Sequence, residues 1–302
     1  MSHLELENDR AYQQWSDRKK ADYELRLADD FPLLIDIKSN GDIKAEALSM
    51  IGDQVKKYNF ALYRMVNDTK NHLAAVKNIG AQIGLKELDK NLCAMEDRVT
   101  KLTVVDEGNG GTYIPYSNKA IKWHNDGYYN PMHQRVLAMV LHCEQPAATG
   151  GENDLLDQDM AYIHLRDENP DYIRALSAPG VMCIPKNVQH GELIREQTCS
   201  AVFMPEEITE TQVADAQSPV LAMRYTQRKH NIIWSQDTLT QEALSCLDEY
   251  LESQSPYHVR YRLKSGEGVV CNNVLHTRSA FTDSESSKRV YYRARYYNRI
   301  TL

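Results

Sequence analysis

Glycine-rich phosphate loops and G-x-S-x-G elbows are both missing from this sequence, which removes the commonest nucleotide-binding and hydrolase readings. Basic excess is missing too: 35 Lys and Arg stand against 42 Asp and Glu, a formal net charge of -7, the reverse of a general nucleic-acid binder. No apolar run approaches the roughly 20 residues of a membrane span. The opening MSHLELENDRAYQQW is polar and acidic and lacks the character of a secretory signal, so the cytoplasm is the expected compartment. There is no CxxC pair among Cys93, Cys143, Cys183, Cys199, Cys246 and Cys271, and reduced, mostly buried thiols are expected. Phenylalanine and tryptophan are scarce, at 4 and 3 residues against 18 tyrosines. A buried tyrosine hydroxyl needs a partner, so some of these should line polar cavities. Internal repeats, low-complexity tracts and Pro/Gly/Ser-rich linkers are absent as well, and one domain over 1–302 is expected, with residues 1–30 as a peripheral helical extension.

What is present divides near residue 100. Before it, residues 8–29 read as a charged helix ending ahead of Pro32, and 33–37 (LLIDI) as a short strand. Ile43, Ala47, Ile51 and Val55 fall on one face of a helix over 42–57. A strand follows at 60–66, then a helix carrying Leu73, Val76, Ile79 and Ile83, with Asp68 or Thr69 as its cap. After it, short β-rich runs dominate: 102–105, 135–143, 180–184, 199–204, 220–226, 258–263, 268–275 and 289–297. Helical insertions at 157–177, restarted by Asn169-Pro170, and at 238–252 interrupt them. Many short strands with occasional helices predict an α+β or mainly β jelly roll with flanking helices and helical insertions, not a doubly wound α/β sheet.

The chemistry begins at Trp123-His124-Asn125-Asp126-Gly127. In an extended chain, residues two apart point the same way, so His124 and Asp126 can reach one metal ion. Alone this is a weak signal, because His-x-Asp/Glu also occurs at His3, His142 and His190. Its company lies downstream. His276 ends a strand, and the run Arg289–Arg295 places Arg289, Tyr291, Arg293 and Arg295 on one face and Val290, Tyr292, Ala294 and Tyr296 on the other. By itself that pattern also fits a solvated edge strand guarded by positive charge. Beside a metal, a planar guanidinium can hold a dicarboxylate by paired hydrogen bonds. Two histidines and a carboxylate on one face of an octahedral ion form the facial triad of non-haem iron oxygenases, although zinc also accepts these ligand types.

These motifs resemble the taurine dioxygenase (TauD/TfdA-like) superfamily of iron(II)/2-oxoglutarate-dependent dioxygenases from roughly residue 33 to the C-terminus. They are WH-x-D at 123–126, GGEN at 150–153, the distal His276 and the arginines after it. The resemblance implies a double-stranded β-helix with His124, Asp126 and His276 binding iron(II). Arg293 would then bind the distal carboxylate of 2-oxoglutarate and Arg289 lie near its metal-bound end. Asn153 stands where the family has a threonine that helps hold the co-substrate; its amide can still donate to a carboxylate. The loop between His276 and Arg289 is slightly longer than in many relatives. Asp126 is intact where family halogenases have a small residue, which disfavours halogenation.

The implied reaction couples O2 and the decarboxylation of 2-oxoglutarate to succinate and CO2 with oxidation of an unactivated C–H bond. Hydroxylation is the commonest outcome, and desaturation needs the same ligands. The substrate is less legible. Tyr113, Tyr116, Tyr128 and Tyr129 flank the first ligands and could hold a cation by their ring faces or hydrogen-bond an acid or amide. A small polar metabolite, derived from an amino acid, is the expected partner; nucleic acid and membrane are not expected, and a homo-oligomer is left open. Two other classes compete: a non-catalytic metal-binding jelly roll, in which the arginine pair has no evident purpose, and a zinc hydrolase, for which Glu152 is the available base.

Overall fold

The computed structural model describes all residues except 1, 29–32, 68, 70, 90–97, 106–113, 207–218, 229 and 301. It is a mixed structure of helices and many strands, and its residues group into two compact units. The first comprises Met1–Ala28, Trp123–Arg135 and Leu156–His258; the second comprises Asp29–Lys122, Val136–Leu155 and Val259–Leu302.

The second unit is built on a six-stranded sheet. Its order is Leu34–Lys38, Phe60–Val66, Glu267–Cys271, Ala138–Gln145, Val290–Tyr296 and Thr100–Leu102. The first pair is parallel and the other pairings are antiparallel. Helix Ala45–Tyr58 buries Ala47, Ile51, Val55 and Tyr58, the expected four-residue stripe, and stops at Asn59 in the left-handed region. Helix His72–Gln82 is capped by the Asn71 side chain, which accepts from the Ala74 N–H, and not by Thr69; Asp68 lies outside the described residues. Both helices contribute to one apolar cluster with Val140, Val270, Tyr292, Ala294 and Tyr296. Ile51 and Ile79 are fully enclosed there, so trimming either to alanine costs about 2–5 kcal/mol. Tyr292, Ala294 and Tyr296 supply the apolar face expected of the last strand. That strand lies between two neighbours and its arginines are buried, so it is not a solvated edge.

A four-stranded sheet follows the order Val259–Tyr261, Asn153–Leu156, Leu275–Arg278, Ile121–His124. The run read as one strand over 268–275 divides at Asn273, whose φ of +51° turns the chain between Glu267–Cys271 and Leu275–Arg278. The run over 199–204 likewise divides into Thr198–Ser200 and Phe203–Glu206, and the one over 102–105 ends at Leu102.

In the first unit, helix Asp9–Ala28 packs along Gln158–Glu168. Tyr12 donates to the Ile163 carbonyl, and Lys19 pairs with Asp157 and Asp159. Asn169 caps the short helix Pro170–Leu176 as its sequence predicts, and Asp237 caps Thr238–Glu252. The expectation of reduced thiols is wrong for one pair: Cys183 and Cys199 sit directly opposite on antiparallel strands and are joined as a disulfide. Their separation of 16 residues gave no local sign of this strand pairing. Cys143 and Cys271 are buried and free, Cys246 is free and half-buried, and Cys93 lies outside the described residues. Among the described residues no helix is long and apolar enough to cross a membrane.

Candidate metal and co-substrate site

His124 closes strand Ile121–His124, and Asp126 follows in the turn that Gly127 completes at φ +66°. Three backbone links hold this segment. Asn125 N–H donates to the Tyr225 carbonyl, Gln227 N–H donates to the Trp123 carbonyl, and His124 bridges Thr226 in antiparallel fashion. The Trp123 indole N–H donates to the Leu251 carbonyl at 2.8 Å. So fixed, His124 Nε2 and Asp126 Oδ1 are 3.8 Å apart, a span that one ion about 2 Å from each can bridge. Asp126 is buried and His124 half-buried.

Arg224 ties down the next turn. It is buried, donates to the carbonyls of Tyr128 and Asn130, and lies 3.4 Å from the Thr198 hydroxyl. Burial, with Arg195 and Arg135 nearby, pushes its pKa down to about 10. Tyr128 is buried edge-on to His124 and to Tyr129. Tyr116 is buried in the second unit, and Tyr113 lies outside the described residues.

In the second unit, His276 is buried on strand Leu275–Arg278, with Nδ1 3.0 Å from the Val274 carbonyl. A hydrogen bond of that kind fixes the ring and leaves Nε2 available to a metal ion. The arginines form a group larger than sequence reasoning found. Arg278 joins Arg289 and Arg293, all three buried. Arg278 donates to the carbonyls of Pro115, Ser117 and Lys119 and stands over the Phe281 ring, as Arg289 also does. Burial first, then Arg289 and Arg293, push the Arg278 pKa down to about 9. Arg289 is likewise lowered by burial, although Tyr291, Cys143 and Asp283 oppose the fall. Its guanidinium stacks on Tyr291 at 3.7 Å. The signal for Arg278 was present: it lies two residues beyond His276, on the same side of the strand. Arg295, by contrast, is spent on an ion pair with buried Asp89.

The GGEN turn packs beside them. Gly150 and Gly151 both have positive φ, and a Cβ on Gly150 would strike the Ala280 carbonyl at 2.2 Å. Ser279 Oγ accepts from the N–H groups of Gly151 and Glu152 and donates to the Glu152 carboxylate. That hydrogen bond holds the Glu152 carboxyl below its usual pKa, which suits a carboxylate acceptor better than a general base. Asn153 donates to the Thr277 carbonyl at 2.8 Å, leaving one amide N–H for another acceptor; its Oδ1 has no partner among the described residues.

Comparison with known proteins identifies the family. The family model for taurine catabolism dioxygenase TauD, TfdA family matches residues 30–295. No curated protein matches the chain. Many solved structures share its fold, and three illustrate it. Asparagine oxygenase, in complex with Fe(II), 2S,3S-3-hydroxyasparagine and succinate, is 14% identical with a TM-score of 0.54 over 94% of this chain and 91% of that one. The non-heme iron oxygenase OrfP, in complex with (3S)-hydroxy-L-Arg, is 13% identical with a TM-score of 0.59 over 93% and 91%. PvcB, an Fe, alpha-ketoglutarate dependent oxygenase from an isonitrile synthetic pathway, is 14% identical with a TM-score of 0.51 over 82% and 79%. The chain therefore belongs to the taurine catabolism dioxygenase TauD, TfdA family, and is an iron(II)- and 2-oxoglutarate-dependent oxygenase.

Proposed function

We propose that His124, Asp126 and His276 hold the iron(II), that Arg289, Arg293 and Asn153 bind 2-oxoglutarate, and that the protein hydroxylates an unactivated C–H bond of a small amino-acid-derived metabolite. The carrying observation is the buried arginine group on the strands around His276. Guanidiniums crowded away from water raise each other's energy, and a bound dianion relieves both the crowding and the lost hydration. Arg289 Nε and Arg278 Nε have no hydrogen-bond partner among the described residues. The donor set, two imidazoles and one carboxylate, is the type that suits iron(II).

When bound, the iron would activate O2, which oxidises 2-oxoglutarate to succinate and CO2 and supplies the oxygen for the C–H bond. The chain's own residues do the positioning. Arg293 takes the distal carboxylate and Arg289 the region of the metal-bound end, with the remaining N–H of Asn153 directed to a carboxylate oxygen. Support for a jelly-roll core comes from the many short strands and from the mainly antiparallel pairings of the six-stranded sheet, and we read the chain as a single domain. The amino-acid substrate class draws on the products bound in asparagine oxygenase and OrfP, and a central metabolite as co-substrate favours the cytoplasm. A non-catalytic binding module leaves the arginine group without a purpose, and a hydrolase lacks a base of raised pKa at Glu152.

The test is succinate release from protein supplied with Fe(II), 2-oxoglutarate and O2. Turnover that stops on chelation and in Asp126→Ala is expected. Turnover that survives in Asp126→Ala overturns the ligand assignment.

A further inference from the structure

We propose that Arg228 and Tyr128 form the anchor for the α-carboxylate of the primary substrate. This rests on the oxygenase reading and adds to it the residues that recognise the substrate's acid group.

Four observations within the first unit carry it. The Arg228 Nη1 group donates to the Tyr128 hydroxyl at 3.1 Å. That oxygen acts as acceptor, so its own hydrogen is free to point at a third group. A guanidinium and a phenol joined in this way present convergent N–H and O–H donors, the arrangement a carboxylate fills.

Second, the pair stands beside the metal-ligand segment. The Tyr128 and His124 rings are 6.5 Å apart, edge to face. Arg228 follows directly on Thr226 and Gln227, which are bound to His124 and Trp123 through the backbone. A carboxylate held here brings the carbons a few bonds away toward His124.

Third, the neighbouring arginines are committed elsewhere. Arg224 is used on the Tyr128 and Asn130 carbonyls, Arg195 on the Pro185 carbonyl, and Arg135 on Glu206. Arg228 makes no ion pair with a carboxylate among the described residues and is exposed. Fourth, Arg224, Arg195 and Arg228 all donate to Tyr128 or Tyr129, and cations gathered at one turn favour an anion over a neutral amide. A solvated surface arginine would explain the exposure, but not its link to a buried tyrosine next to a ligand histidine.

The test uses the twenty L-α-amino acids singly, against their carboxamides, as binding probes for metal-free protein by calorimetry. Iron and 2-oxoglutarate binding are recorded separately by difference spectrum. At least one free acid is expected to bind, with its carboxamide at least tenfold weaker. Arg228→Gln should lose at least tenfold in affinity for the acid, Tyr128→Phe three- to tenfold, and Arg228→Lys should recover part. With a substrate in hand, KM should rise in Arg228→Gln while kcat changes little. Binding of no free acid, equal binding of acid and carboxamide, or unchanged affinity in Arg228→Gln overturns the proposal. A missing iron–2-oxoglutarate spectrum with Arg228-dependent binding intact would instead strike the oxygenase reading and leave the anchor standing.

Discussion

The proposed co-substrate site rests on single side chains, Arg289, Arg293 and Asn153. Replacing either buried arginine by lysine keeps the charge but loses the planar fork, at a cost of about 1.5–3 kcal/mol. Arg289→Lys and Arg293→Lys should therefore each raise the KM for 2-oxoglutarate roughly 10- to 100-fold while iron affinity stays within about twofold. Steady-state succinate assays and iron titrations separate the two quantities; a matching loss of iron affinity would mean that the arginines support the fold and not the ligand. Asn153 differs in kind, because its amide already donates to the Thr277 carbonyl. Asn153→Ala should cost about 1 kcal/mol of stability and only a few-fold in KM. A loss as large as that of the arginines would make Asn153 a principal carboxylate ligand.

At the scale of elements, the turn after Asp126 and the helix-covered face of the six-stranded sheet each make a claim. Arg224 is the buried staple of that turn, bonded to the carbonyls of Tyr128 and Asn130. Arg224→Met keeps the bulk and removes the donors. It should weaken iron binding tenfold or more with the KM for 2-oxoglutarate little changed, as metal titration would read; unchanged iron affinity would show that the turn holds itself. On the sheet, His142 is fully buried between the Tyr63 hydroxyl at 3.0 Å and His72 Nδ1 at 2.8 Å. Burial, with His72 beside it, pushes its pKa down to about 3 from 6.5. The unfolded chain thus binds a proton at pH values where the folded protein refuses it. Stability contributed by the neutral ring is complete above about pH 6.5 and is lost progressively as pH falls toward 3. The full shift is worth a few kcal/mol, on the order of 1.4 per pKa unit. Urea denaturation between pH 7 and 4 should show a shallower decline in His142→Leu than in the parent protein; parallel declines would place the acid sensitivity elsewhere.

Across the whole molecule, much of the fold could be read where local signals agreed. Helix Thr238–Glu252 could be read at its full length from its apolar stripe, and the structure adds the Asp237 cap. The last strand showed both faces, since alternation survives burial on either side. What escaped depended on turns and partners distant in sequence. Asn273 splits one apolar run between two sheets by a backbone angle that asparagine tolerates but does not dictate. The Cys183–Cys199 bond needs a strand pairing that no spacing announces. Arg278 was passed over because its neighbours in chain look like the end of a strand, and its partners are carbonyls of residues 115–119. His276, distant in sequence from His124 and Asp126, is proposed to join them in holding the iron that 2-oxoglutarate chelates. The most direct measurement adds Fe(II) and 2-oxoglutarate to anaerobic protein and records the difference spectrum between about 450 and 600 nm, where an iron–2-oxo-acid chelate absorbs. On this proposal a weak band is expected in the parent protein and none in His276→Ala. Iron bound without the band, or a band that persists in His276→Ala, would contradict it.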